Sequence, residues 1–314
     1  MSEAAVAVSI REVDAAAVAV RPHVRRTPVV ELAGEELGID GELVLKLEFL
    51  QHSGSFKARG AAHFLATQPI SDEGVVAASG GNHGAAVAWA ARELGHVAHI
   101  FVPTIASPAK IERLRGYGAE VHQVGEVYAD ALAASREFLV SHAATQIHAY
   151  DDPVVMAGAG TCARELDSQA PDLDAVLMAC GGGGLSGGAA AWFGHRVELV
   201  ACETHGTATY AAAVAAGEPV DVAVTGIAAD ALGATRLGET PWRALSAVEA
   251  TSVLVTDDAL IAARDLLWDR LRVVVEPAAA APVAALAAGA WRPRQAGARV
   301  GIVLCGANTM RELP

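Results

Sequence analysis

At 314 residues the chain is long enough to bury a sizeable core, as one large domain or two smaller ones. With 53% hydrophobic and 19% charged residues it is globular. A formal net charge of -13 without a Lys/Arg cluster argues against a nucleic-acid or anionic-membrane surface.

The opening stretch, residues 1–20, is apolar but carries Glu3, Arg11, Glu12 and Asp14 at helical spacing, unlike the uncharged centre of a signal peptide. A helix is predicted over Ile10–Val20. An extended Thr27-Pro28-Val29-Val30 and a strand-like run over 43–49 then lead to Gln51-His52-Ser53-Gly54-Ser55, which opens a predicted helix over 56–66. Strand–helix pairs follow over 75–78 and 85–94, 97–102 and 109–117, 120–124 and 128–141, and 146–149 and 153–168. Strands are predicted over 175–180 and 197–202, helices over 257–271 and the alanine-rich 277–290, and a last strand over 300–305. The run over 277–290 contains Pro282 and is too short and too weakly apolar to span a bilayer. This alternation, with near-continuous apolar strands, predicts an α/β fold of twisted parallel sheets with helices on both faces. The link Gln68-Pro69-Ile70-Ser71-Asp72 suits a boundary. Residues 71–148 are expected to form a small domain covering the cleft, and 1–70 with 149–314 the large one.

Cys162, Cys180, Cys202 and Cys305 have no metal or redox spacing, so buried free thiols and a reducing cytoplasm are expected. Nor do His52, His148 and His205, near predicted strand ends, have metal spacing. No regulatory module is expected after Pro314.

Lysine is almost absent: Lys46, Lys57 and Lys110 are the only three. Lys57 falls in the first turn of a predicted helix, where the dipole disfavours a cation. Unlike arginine, lysine loses its charge readily when desolvated and then serves as an amine nucleophile. A Schiff-base role and simple snorkelling from an amphipathic helix are both open on this evidence alone.

Four glycine-bearing loops begin where predicted strands end. They are Ser53-Gly54-Ser55, Ser79-Gly80-Gly81-Asn82-His83-Gly84, Gly181-Gly182-Gly183-Gly184-Leu185-Ser186-Gly187-Gly188 and Cys305-Gly306-Ala307-Asn308. In parallel α/β sheets the carboxyl ends of strands share one edge, and ligands bind there. The third loop, a strand followed by glycines and a helix start, presents peptide N–H groups to a phosphate; without Lys or Arg it is not a nucleotide-triphosphatase P-loop. Gly182, Gly184 and Gly187 also fit Gly-x-Gly-x-x-Gly, with Glu203 placed as a ribose-binding acid, so a nicotinamide-dependent oxidoreductase is a competing reading. A small-molecule binder without turnover is a third.

Taken together, Ser55-Phe56-Lys57-Ala58-Arg59-Gly60, Ser79-Gly80-Gly81-Asn82-His83-Gly84, Gly181-Gly182-Gly183-Gly184 and Cys305-Gly306-Ala307-Asn308 resemble the motif set of the fold type II pyridoxal-phosphate enzymes. The nearest branch is the serine/threonine dehydratases and serine racemases, and the resemblance runs from about Thr27 to Asn308. Ala157-Gly158-Ala159-Gly160-Thr161 and Gly226-Ile227-Ala228-Ala229-Asp230 belong to it as well.

The resemblance implies a two-domain architecture, pyridoxal 5'-phosphate as cofactor, a homodimer, and a site. In that site Lys57 forms the Schiff base and removes the α-proton, and Phe56 packs on the cofactor ring. Asn82 bonds the ring hydroxyl, while Gly181, Gly182, Gly183 and Gly184 hold the phosphate. Ser79, with Gly80, Gly81 and the backbone around Asn82 and His83, receives the substrate carboxylate; Cys305 faces the pyridine nitrogen. A thiol there leaves the ring nearly neutral and favours β-elimination: L-threonine or L-serine to a 2-oxo acid and ammonia. A 3-hydroxyaspartate dehydratase or a serine racemase are alternatives within the family. Racemising relatives carry a serine where this chain has Gly80, so little racemisation is expected. Relatives with a divalent cation place acids near Glu203 and some six positions later, where Thr209 stands; a monovalent or divalent cation is therefore expected at Glu203 at most. Candidates for the side-chain pocket are Tyr150, Asp151 and residues 207–210.

Overall fold

The computed structural model describes residues 8–309; the first seven residues of the opening stretch and the last five of the chain lie outside the described residues. Ser9 caps helix α1 (Ile10–Val20) through a reciprocal capping box with Glu12, worth about 1 kcal/mol. Strand β1 (Val29–Ala33) runs antiparallel to β2 (Glu42–Lys46). The strand-like run over 43–49 ends at Lys46, and 3-10 turns over 48–50 and 52–54 carry the chain to α2 (Lys57–Thr67).

A four-stranded parallel sheet follows, in the order β5-β4-β3-β6. It is built from β3 (Val75–Ala78), α3 (Asn82–Leu94), β4 (Ala98–Val102), α4 (Pro108–Gly116), β5 (Glu120–Gln123), α5 (Tyr128–Ser141) and β6 (Thr145–Gln146). Helix α3 starts three residues earlier than its apolar pattern predicts, which puts Asn82 at its first position.

The larger sheet takes in α6 (Pro153–Gln169), β7 (Ala175–Ala179), α7 (Gly184–Phe193), β8 (Glu198–Thr204), α8 (Thr209–Ala216), α9 (Glu239–Ala247), β9 (Thr251–Val255) and α10 (Asp257–Leu271). The alanine-rich run is not one helix: a 3-10 turn over Pro277–Ala280 leads into α11 (Ala281–Ala287), and β10 (Arg299–Val303) closes the set. The strand order is β1-β2-β10-β7-β8-β9, parallel except for β1. Every residue of β4 and of β7 is buried, as in a sheet covered on both faces.

Helix α2 packs against α3 and α6, and so ties the two sheets together. It is also held from below. Arg59 is buried and grips Glu48 with two bonds of 2.6 and 2.9 Å, while Lys46 and Arg59 converge on Glu165 at 2.5 and 3.0 Å. Lys46, Glu48 and Arg59 are buried and Glu165 is partly so, so removing one of the three buried partners would cost about 3–5 kcal/mol. Among the described residues no helix is long and apolar enough to cross a membrane.

Candidate active site

Strands β2, β10, β7 and β8 are parallel neighbours, so their carboxyl ends lie side by side. The segment carrying Lys57 follows β2, Cys305 follows β10 and the glycine loop follows β7. Ser55 bridges Gly306, and the Phe56 N–H donates to Cys305 O at 3.0 Å, which fastens the first of these segments to the second. Phe56, Lys57, Asn82, residues 181–184 and Cys305 line one cleft.

Lys46 pairs with Glu165 and Lys110 with Asp230, whereas Lys57 is in no ion pair among the described residues. Its Nζ donates to Ala149 O at 2.6 Å and lies 5.0 Å from the Phe56 ring centroid and 5.9 Å from that of Tyr150. Burial among neutral groups lowers its pKa from 10.5 to about 8, against smaller opposing effects of Cys305 and Glu276. The amine is therefore uncharged far more often than that of a surface lysine.

Helix α7 begins at Gly184 with no side chain capping its first turn. Gly183 precedes it at φ +90°, a conformation natural to glycine. At Gly182 even a Cβ would lie 2.3 Å from the Tyr150 ring, so the backbone approaches that ring as only glycine allows. The result is a bare cradle of peptide N–H groups with a helix dipole behind it, which fits a phosphate group. Helix α3 also starts uncapped, after Ser79, Gly80 and Gly81, and the Ser79 Oγ accepts from the Gly81 N–H at 3.2 Å.

Asn82 sits between two partners. Its Nδ2 donates to Glu276 Oε1 at 2.8 Å, and its Oδ1 accepts from Asn308 Nδ2 at 2.6 Å. Glu276 is buried and its carboxyl is held above the usual range by that burial, opposed by the Asn82 bond. Sequence reasoning missed Glu276 as a member of the cleft. Its one signal was an isolated acid before Pro277, between two apolar runs. Burial likewise keeps the Cys305 thiol well above its ordinary pKa, with Glu276 adding to the effect, so it is protonated at neutral pH.

A family model described as pyridoxal-phosphate dependent enzyme matches residues 20–306. The chain belongs to this family. Within the fold type II pyridoxal-phosphate enzymes it groups with the threonine dehydratases and serine racemases. It is 35% identical to the L-threonine ammonia-lyase of Geobacter sulfurreducens, over 85% of this chain and 67% of that protein. It is 33% identical to the biosynthetic L-threonine dehydratase IlvA of Escherichia coli over 90% of this chain, but spans only 56% of that relative's length. The structure of maize serine racemase superposes with a TM-score of 0.90 at 29% identity, covering 97% of this chain and 94% of that one.

For a pyridoxal-phosphate enzyme the residues fit the cofactor: an amine of lowered basicity, in no ion pair among the described residues, stands in the same cleft as an uncapped glycine cradle. The family sets aside the nicotinamide reading, and Glu203 does not serve it either. Glu203 is buried; its Oε1 accepts from the Tyr210 N–H at 2.8 Å and lies 3.0 Å from Thr209 Oγ1, and its Oε2 accepts from the Ala211 N–H at 2.9 Å. It caps α8, and burial raises its pKa to about 7 against those bonds.

The side-chain-pocket candidates at 207–210 need correction. Thr207, Thr209 and Tyr210 are buried, and Tyr210 Oη donates to Ala250 O at 2.7 Å. Thr209 Oγ1, 2.5 Å from Gly181 O, anchors the glycine loop instead. Asp151 Oδ1 accepts from the Thr240 N–H at 2.9 Å and secures the start of α9. The His83 ring is buried and its Nε2 reaches Ile147 O at 3.0 Å. Burial, then the nearby Lys57, drive its pKa down to about 3, so it is a neutral fastener.

Proposed function

We propose that the protein catalyses the dehydration and deamination of a small β-hydroxy amino acid, L-threonine or L-serine, to a 2-oxo acid and ammonia. Pyridoxal phosphate, when bound, supplies an aldehyde for the substrate amine and a ring that withdraws electrons from the α-carbon. The observation that carries the reading is Lys57, alone of the three lysines without a carboxylate partner among the described residues and with its pKa lowered to about 8. Its neutral Nζ takes up the α-proton. The N–H groups of residues 181–184 take the phosphate, and the uncapped start of α3 takes the substrate carboxylate, oriented by Ser79.

Cys305 and Gly80 favour elimination over other outcomes. The Cys305 thiol, protonated and on the cleft wall, would offer a bound pyridine ring no carboxylate to keep it charged, a setting that suits loss of the β-hydroxyl as water. Gly80 has no side chain with which to return a proton to the opposite face of the α-carbon.

The test is an ammonia and 2-oxo-acid assay across L-threonine, L-serine and 3-hydroxyaspartate with the cofactor-loaded protein. Equal release of both products from threonine or serine, abolished by Lys57→Ala, is expected. D-serine formed from L-serine at a rate near that of pyruvate, or no ammonia from any of the three, would overturn the proposal.

A further inference from the structure

Away from the cleft, on the face of the four-stranded sheet that α5 covers, His99 of β4 lies beside Glu120 and His122 of β5. The register pairs His99 with Glu120 and Phe101 with His122, so all four side chains stand on one face. His99 Nε2 is 3.2 Å from Glu73 O. A carbonyl oxygen only accepts, so Nε2 carries a proton and Nδ1 is the ring nitrogen through which His99 can bind an ion. That Nδ1 faces His122 Nε2 at 3.2 Å and Glu120 Oε2 at 3.4 Å. A carboxylate oxygen facing Nδ1 at 3.4 Å calls for a positive charge between the two, carried by a proton or by a metal ion.

We propose that His99 Nδ1, His122 Nε2 and Glu120 Oε2 form a binding site for a borderline divalent transition cation such as Zn²⁺ or Ni²⁺. The three ligand atoms all lie within 4.8 Å of one another. A tetrahedral ion with bonds of about 2.0–2.1 Å needs ligand atoms roughly 3.3–3.4 Å apart, which the two measured separations match. Two imidazoles and one carboxylate select such ions over Mg²⁺ or Ca²⁺, which take oxygen ligands.

The surroundings keep both rings in place. Phe101 stacks on His122 with centroids 4.4 Å apart, Phe138 of α5 packs on His99 at 4.7 Å, and the Glu73 carbonyl fixes the His99 tautomer. Glu120 is 62% exposed, which leaves the remaining coordination position to water. His99 and Glu120 stand towards the amino ends of their strands, whereas Lys57 is served by carboxyl ends, so the ion ties edge strand β5 to β4 and takes no part in the chemistry of the cleft.

The experiment titrates Zn²⁺ into the chelator-treated, cofactor-loaded protein by calorimetry, with Co²⁺ absorption as a second readout. One saturable equivalent in the micromolar range is expected, weakened by at least about tenfold in Glu120→Gln and in His122→Gln. Zn²⁺ should raise the Tm of the wild type and of neither variant. The Co²⁺ spectrum should lack a thiolate charge-transfer band, which separates this site from the four cysteines. Because Glu120 is exposed, Glu120→Gln remains informative even if His122→Gln does not fold. No saturable binding, or binding undiminished in Glu120→Gln, overturns the proposal and leaves a shared proton as the charge between His99 and Glu120.

Discussion

Asn82 and Glu276, 194 positions apart in the chain, are joined by a hydrogen bond of 2.8 Å across the cleft. The first opens α3 beside the four-stranded sheet; the second leads into α11 on the larger one. Because the folded carboxyl of Glu276 titrates above its ordinary 4.5, its contribution to stability is complete below that pH. It is lost as pH rises through the folded value. Glu276→Gln should remove this loss, so apoprotein stability should fall less steeply with pH above 4.5 than in the wild type. Urea unfolding at a series of pH values reads it, and superimposable profiles for the two proteins would contradict it.

Lys57 gives the opposite sign. A folded pKa of about 8 against 10.5 means that the contribution of the amine is complete above 10.5 and lost as pH falls through about 8. At pH 7 the apoprotein therefore carries an unfavourable charge. Lys57→Met should abolish turnover yet stabilise the apoprotein at that pH by about 1–3 kcal/mol. The gain should fade as pH is raised from about 8 towards 10.5. Thermal unfolding of cofactor-free protein checks both halves.

Gly182→Ala forces a methyl to within 2.3 Å of the Tyr150 ring. Relief requires the loop or the ring to shift, at a cost of about 1–3 kcal/mol. Either shift distorts the cradle, so pyridoxal-phosphate affinity should fall by at least tenfold, or about 1.4 kcal/mol. Equilibrium dialysis measures it, and unchanged affinity would place the phosphate elsewhere.

Gly80 is different, because a Cβ there meets nothing nearer than Val102 Cγ1 at 3.4 Å. Gly80→Ser should fold with stability within about 0.5 kcal/mol of the wild type. It should also gain D-serine formation from L-serine while retaining pyruvate release. Chiral chromatography of the product mixture follows the gain; a variant with no more D-serine than the wild type would show that position 80 does not deliver a proton.

Legibility in the sequence followed local chemistry. Helices α1, α5 and α10 are found where their periodicity predicts, and Ser9 and Thr256 mark two of those starts by accepting from a first-turn N–H. Strand β9 was not anticipated: it is an edge strand, half-exposed, in which Thr251 and Ser252 blur the apolar run. Helices α8 and α9 were missed because short alanine-rich or mixed stretches carry little periodicity, and their starts are secured by carboxylates outside the helices, Glu203 just upstream of α8 and the distant Asp151 for α9. Lys57 and the glycine loop drew attention through residue type in unusual local settings, whereas Asn82 was singled out only through the family resemblance. Glu276 and the His99–Glu120–His122 group did not, since their partners come from distant segments and only the folded register brings them together.

Arg59 follows Lys57 by two positions and is clamped to Glu48 and Glu165 beneath the cleft. The nucleophilic amine thus rides on an immobile anvil, whereas the opposite wall is moored over the opening by the surface-exposed contact of Lys110 with Asp230. Laboratory selection for bulkier substrates should accordingly accumulate changes around 79–84 and along α4, and leave residues 46, 48, 59 and 165 untouched.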